Sequence, residues 1–198
     1  MPSNIRAKAK IVEKLDAIDS VREKLTGLKD INLKDEVLNH LPQFVACGAQ
    51  SAGKSSVIRC ISKIPLPEDT KCCTRIATII QTRRGEESIT VKLIGPEGRE
   101  FESTAVRDLS EIRDIVSNYQ SQVLGDNDFV HDYFVIIKYS APQNFNFSMV
   151  DLPGFHNSND VSSAIVNDIV HKYIKMEGTL CLHVCKGDQD YDSVLGNG

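Results

Sequence analysis

A three-layer α/β sandwich around a mostly parallel sheet is the architecture this sequence predicts, and three observations predict it. A short apolar segment, Gln43 to Cys47, runs into Gly48-Ala49-Gln50-Ser51-Ala52-Gly53-Lys54-Ser55. That glycine-flanked loop opens a helix-compatible segment, Ser55 to Ile61. Downstream, strand-like apolar runs alternate with segments whose apolar residues recur at three- and four-residue spacing. Interleaving of this kind demands helices on both faces of a sheet, with ligands received at the C-terminal ends of its strands.

Size and composition agree with one soluble globular unit. The chain has 198 residues, 41% of them apolar and 25% charged, enough to build a sizeable core. Lys and Arg number 23 against 27 Asp and Glu, so there is no electrostatic case for nucleic-acid binding. The N-terminus lacks an apolar secretory core and no run of about 18 apolar residues occurs, which predicts a cytoplasmic protein that does not span a membrane. Of the six cysteines, Cys47, Cys60, Cys181 and Cys185 lie in apolar stretches and are expected to be reduced and buried, while Cys72-Cys73 reads as a surface loop with incidental thiols. Cys181, His183 and Cys185 share one face of an alternating strand. Core packing is expected of them rather than zinc, because no second Cys/His pair stands at finger-like spacing.

In chain order, Ile11, Leu15, Ile18, Leu25 and Leu28 form the apolar stripe of an amphipathic helix from about Arg6 to Thr26, ending near Gly27. Its stripe can pack on the domain itself, dock with helices outside this chain, or lie on a membrane. A second helix, Leu33 to Leu41, is closed by Pro42. After the loop and helix around Lys54 come Pro65 and Pro67, then two strands, Ile76 to Arg83 and Ser88 to Ile94, expected to pair antiparallel across Arg84-Gly85-Glu86. Leu109, Ile112, Val116, Tyr119 and Val123 mark a helix capped near Asp108 or Ser110. Strands follow at Tyr133 to Tyr139 and Phe145 to Val150. A helix carrying Val161, Ile165, Ile169 and Tyr173 precedes a last strand, Thr179 to Cys185.

The loop Gly48 to Ser55 spells G-x-x-x-x-G-K-S, a triphosphate grip. Its glycines let successive backbone N–H groups turn inward toward a phosphate, and the following helix adds its positive dipole end. Lys54 is expected to bridge the β- and γ-phosphates and the Ser55 hydroxyl to ligate Mg²⁺. Asp151-Leu152-Pro153-Gly154 follows an apolar strand at the same end of the sheet. There the carboxylate can reach Mg²⁺, and the N–H of Gly154, unobstructed by a side chain, can approach the γ-phosphate. Thr74, in the polar loop before the strand at Ile76, can offer its hydroxyl to Mg²⁺ and its carbonyl to an attacking water. His156, two residues past Gly154, is read as a solvated histidine rather than a general base.

With these motifs together the chain resembles the GTPase domain of dynamin-like large GTPases. Gly48 to Ser56 is similar to their phosphate loop, Leu66-Pro67 with Cys73-Thr74-Arg75 to their first switch, and Asp151 to Gly154 to their second. Cys73 to Thr78 with Arg83-Arg84 resembles the dynamin-like proteins common in fungi. The resemblance implies a P-loop GTPase sandwich that binds GTP with Mg²⁺ and hydrolyses it. It further implies that Gln50 orients the attacking water, that Ser51 helps hold a monovalent cation, and that Thr74 holds Mg²⁺ and the water. The resemblance implies a nucleotide site of Gly48, Ser51, Ala52, Gly53, Lys54, Ser55, Ser56, Asp151 and Gly154, with Ser55, Thr74 and Asp151 as the metal set.

The resemblance also implies self-association through facing GTPase domains and, in a full-length form, membrane remodelling with membrane or microtubule association through segments absent here. It divides the chain into a bundle-type helix, residues 1–28, and a GTPase domain, residues 29–198, expected to stop before the T-K-x-D motif that selects guanine. Without that motif, a non-catalytic nucleotide-binding or interaction module is the alternative. In the family the N-terminal helix joins a three-helix bundle, so Leu15, Ile18 and Leu25 are expected to be exposed or self-associating in this chain.

Overall fold

The computed structural model describes residues 43–67, 74–125, 129–130, 132–155, 161–176 and 178–186. The two helices expected before residue 43, Cys72-Cys73 and His156 lie outside these residues. Strand β1 (Gln43–Cys47) leads through the glycine loop into helix α1 (Lys54–Ser62). Strands β2 (Ala77–Arg83), β3 (Ser88–Ile94) and β4 (Glu100–Val106) come next. Helix α2 (Ile112–Leu124), strands β5 (Phe134–Ser140) and β6 (Phe147–Asp151), helix α3 (Val161–Ile174) and strand β7 (Thr179–His183) complete the order.

The strands form one seven-stranded sheet in the order β4-β3-β5-β2-β6-β1-β7. Its β1–β6, β1–β7 and β2–β5 pairings are parallel, whereas β2–β6, β3–β4 and β3–β5 are antiparallel. The sheet is therefore mixed: a parallel half holds the glycine loop, and an antiparallel edge extends it. Strands β2 and β3 do run in opposite directions, but β5 lies between them, which corrects the expected hairpin. Arg83 and Gly85 exchange backbone hydrogen bonds with Ala141, so the connection after β2 arches over the end of β5 instead of closing on itself. The hairpin partner of β3 is β4, a strand whose largely exposed residues carry no apolar alternation to announce it. Glu100 and Glu102 lie on this edge strand, where charge discourages pairing with another chain.

Period-2 alternation distributes the strand residues between two cores. Ala46, Ile80, Val91, Leu93, Val135, Ile137 and Met149 pack with Ile58 of α1 and with Ile112, Val116 and Tyr119 of α2. On the opposite face Val45, Ala77 and Val150 pack with Val166, Ile169, Val170 and Tyr173 of α3. Three layers result, as the alternation predicts. Each fully buried aliphatic side chain contributes about 1.5–3 kcal/mol of transfer free energy.

A 3₁₀ turn, Leu109–Glu111, leads into α2 and starts from a capping box with Asp108 as its cap. The Asp108 carboxylate accepts from Ser110 N at 2.7 Å, and Glu111 Oε1 accepts from Asp108 N at 3.0 Å. Farther along, the Tyr119 hydroxyl lies 2.7 Å from Thr104 Oγ1, tying the helix to β4.

Strand β7 differs from expectation in burial. Cys181 and His183 are exposed and Cys185 is half-buried, because β7 is the sheet's edge and its residues have a neighbour on one side only. Cys60 is also exposed, on the outer face of α1, so Cys47 is the buried thiol among the described cysteines. Burial and the neighbouring Cys181 push the Cys47 thiol above its ordinary value, which keeps it protonated and unreactive. No group of three or more His, Cys, Asp and Glu side chains suited to a metal occurs among the described residues. Nor is any helix among them long and apolar enough to cross a membrane.

Candidate nucleotide site

The carboxyl ends of β1 and β6 converge on the glycine loop. Gly48 has φ 147°, and a Cβ there would lie 2.2 Å from the Val184 carbonyl oxygen, so only glycine lets the loop leave β1 against the end of β7. Ser51 turns the loop apex with φ 58°, and Gly53, with φ 95°, is the N-cap of α1. The first helical bond is Val57 N to Gly53 O at 2.9 Å, and within the loop Ala52 N donates to Ala49 O at 3.2 Å.

Lys54 is buried. Its ammonium donates to the carbonyls of Gly48 at 3.2 Å and Ala49 at 3.0 Å, folding the side chain back across the loop. Asp151 ends β6 and is 2% exposed. Its Oδ2 accepts from Ser55 Oγ at 2.8 Å and from Thr74 Oγ1 at 2.9 Å, and the two hydroxyls stand 3.4 Å apart. The other carboxylate oxygen, Oδ1, is buried with no hydrogen-bond partner among the described residues. Desolvation raises the Asp151 pKa above the usual carboxylate value, while the hydrogen bonds from Ser55 and Thr74 and the charge of Lys54 pull it back. A buried carboxylate with one orphaned oxygen and two adjacent hydroxyls is a set of hard oxygen donors short of positive charge.

The segment after Asp151 lies directly on the loop. Phe155 N donates to Gly48 O and Gln50 N to Phe155 O, both at 3.2 Å, and Ala49 and Phe155 form a parallel bridge. Gly154 fits beneath: a Cβ on it would come within 2.6 Å of Gln50 Cα and 2.8 Å of Lys54 Nζ.

The residues expected from sequence thus fall into two groups. Lys54, Ser55, Thr74, Asp151, Gly154 and the backbone of Gln50 are brought into contact, although Thr74 and Asp151 are 77 positions apart. Ser51 and Ser56 are exposed, with Gln50, Ala52 and Gly53 half-buried, and among the described residues none of these side chains joins the Asp151 cluster. Sequence reasoning missed Phe155, whose contribution is backbone only and leaves no side-chain signal. It also missed Gln120, buried on α2, whose Oε1 accepts from Arg75 N at 2.8 Å. A polar residue four positions after Val116, on the apolar face of the helix, was the available clue.

An α/β sheet with a phosphate loop after its first strand and a buried aspartate opposite the loop's serine defines the P-loop GTPase class of fold. Comparison with known proteins narrows the class. The Dynamin family model matches residues 44–195. Dynamin-related protein 3A of Arabidopsis thaliana is 31% identical over 160 residues, 76% of this chain and 20% of that protein. The interferon-induced GTP-binding protein Mx of Ctenopharyngodon idella is 25% identical over 183 residues, 89% of this chain and 28% of that protein. Dynamin-1-like protein of Danio rerio is 28% identical over 166 residues, 76% of this chain and 24% of that protein. The chain belongs to the dynamin family. It spans between 20% and 28% of the length of these relatives.

Proposed function

We propose that this chain binds GTP and hydrolyses it as the catalytic core of a dynamin-type GTPase. The observation that carries the proposal is the buried Asp151 carboxylate, which gathers the phosphate-loop hydroxyl of Ser55 and the switch hydroxyl of Thr74. In this reading the N–H groups of the Gly48–Ser56 loop, including that of Gly53, cradle the β-phosphate, the Ala52 N–H exchanges its bond to Ala49 O for the phosphate, and the Lys54 ammonium turns toward the β- and γ-oxygens. Ser55, Thr74 and Asp151 hold Mg²⁺, an assignment supported by the orphaned Oδ1 and by donors that are all oxygen. Bound there, the ion neutralises charge on the phosphate oxygens.

The Thr74 carbonyl and the Gln50 side chain position the water for in-line attack, and the Gly154 N–H meets the γ-phosphate. Ser51, exposed at the loop apex, is assigned to a monovalent cation that completes charge neutralisation. Residues 29–198 are assigned to the GTPase domain and residues 1–28 to a bundle-type helix. Family membership supports self-association through facing domains and membrane remodelling by a longer polypeptide, and the lack of an apolar secretory core at the N-terminus supports a cytoplasmic location.

Titration with fluorescent GTP and ATP, beside Lys54→Ala, tests the core of this reading. The expected result is Mg²⁺-dependent binding of GTP over ATP and release of phosphate, both abolished by Lys54→Ala. Equal or absent binding of the two nucleotides would refute it.

A further inference from the structure

We infer that Gln120 is a positioning residue for hydrolysis, acting through the peptide bond that joins Thr74 to Arg75; the inference rests on the GTPase reading above. Arg75 precedes β2, which begins at Ala77, and its N–H is taken by Gln120 Oε1 at 2.8 Å rather than by a neighbouring strand. Only the carbonyl end of the Gln120 amide can meet an N–H, so the orientation of the side chain follows from its partner.

The consequence lies on the other side of the same peptide. No cis peptide bond occurs among the described residues, and in a trans peptide the C=O and the next N–H are coplanar and point in opposite directions. By holding the Arg75 N–H, Gln120 fixes the plane, and with it the direction in which the Thr74 carbonyl points, away from α2. The Thr74 side chain is held separately, by Asp151 Oδ2 at 2.9 Å. Separate contacts thus hold the two ends of this residue: Asp151 sets where the hydroxyl sits, and Gln120 sets where the carbonyl aims. In the proposed mechanism that carbonyl orients the attacking water.

Gln120 suits this work because its helix is anchored. The Asp108–Glu111 capping box fixes the 3₁₀ turn that leads into α2, Ile112, Val116, Tyr119 and Leu124 are buried along the helix, and Tyr119, the preceding residue, bonds Thr104 of β4. Gln120 is itself 6% exposed, so its hydrogen bond is sheltered from competing water. Apolar packing would be the ordinary use of this helix position. An amide placed here puts one acceptor where the end of a strand would otherwise leave the Arg75 donor unsatisfied.

The test compares Gln120→Met, which keeps the volume and removes the acceptor, with Gln120→Glu, which keeps an acceptor oxygen at the same reach. Steady-state GTP hydrolysis, fluorescent GDP binding and capture of GDP with aluminium fluoride are measured on the full 198-residue chain. Gln120→Met is expected to lower kcat about 10- to 100-fold and weaken aluminium fluoride capture in parallel, leaving GDP affinity and KM within about threefold. Gln120→Glu is expected to recover most of the lost kcat. If Gln120→Met fails to fold by circular dichroism, Gln120→Asn, too short to reach Arg75 N, takes its place with the same expected outcome. Unchanged kcat, or GDP affinity falling in step with kcat, overturns the inference while leaving the GTPase reading intact. A wild-type chain that neither binds nor hydrolyses GTP overturns both.

Discussion

Gly154→Ala measures how closely the segment after β6 must approach the phosphate loop. The added Cβ would sit 2.6 Å from Gln50 Cα and 2.7 Å from Gln50 N, against ordinary contacts that begin at 3.4 Å, so relief needs a displacement of about 0.8 Å (3.4 minus 2.6). The phosphate loop cannot give way easily, because Gly48 already lies against the Val184 carbonyl on its other side. The 152–155 segment must move instead. That shift breaks the hydrogen bonds between Phe155 and Gly48 and between Phe155 and Gln50, each worth about 1 kcal/mol, so a stability loss of about 2 kcal/mol follows. In the proposed mechanism the Gly154 N–H moves away from the γ-phosphate by the same distance, and misplacement on that scale costs about 100-fold in kcat. Phosphate release under saturating GTP, fluorescent GDP titration and thermal melts measure the three quantities. Full kcat with a loss confined to nucleotide affinity would refute the reasoning, since it would mean that the loop moved and the switch did not.

Three further outcomes follow from the same geometry. Asp151→Asn keeps an acceptor for Ser55 and Thr74 but removes a desolvated charge, so the nucleotide-free chain is expected to melt at the wild-type temperature or above it, while Mg²⁺-dependent GTP binding is lost; calorimetry showing marked destabilisation would contradict this. Gly48→Ala places a Cβ 2.2 Å from a backbone oxygen at φ 147°, and is expected to cost several kcal/mol by denaturant titration, about 3 or more, together with nucleotide binding. Hydrogen bonds from Ser110 hold the Asp108 pKa below its ordinary value. Its contribution is therefore present above the unfolded-state pKa and is lost as pH falls through the folded one. Melting curves of wild type and Asp108→Ala should differ at neutral pH and converge in acid; a gap that widens on acidification would show the cap argument wrong.

Much of the site was legible in the chain because its chemistry is carried by residue types at fixed local spacing. Gly48, Gly53, Lys54 and Ser55 declare a phosphate loop within eight positions, and Asp151-Leu152-Pro153-Gly154 needs only the apolar run before it to be assigned to a strand end. The helices marked by Val116 and Tyr119 and by Ile165 and Ile169 were legible for a similar reason, since one-sided burial forces 3.6-residue periodicity. Strand β4 was not, because an edge strand exposed on most of its length keeps no apolar alternation. The position of β5 between β2 and β3 was hidden as well. Pairing is decided by which strands cover each other's backbone groups, and the four-residue connection after Arg83 would equally suit a hairpin. Burial of Cys181 and His183 was misread because alternation reports which residues share a face, not whether anything covers that face.

By itself, then, the sequence determined the kind of candidate site this protein carries: a phosphate-loop motif, two hydroxyls and an aspartate, each fixed by covalent identity and local backbone conformation. Only the tertiary structure decided their arrangement. It brought Thr74 and Asp151 to 2.9 Å, laid Phe155 on the phosphate loop, and placed Gln120 of α2 against the Arg75 N–H. Contacts between residues 45 to 107 positions apart depend on how the sheet is ordered and on which helix covers which face. Burial settles that through the whole chain at once, and no local spacing records it.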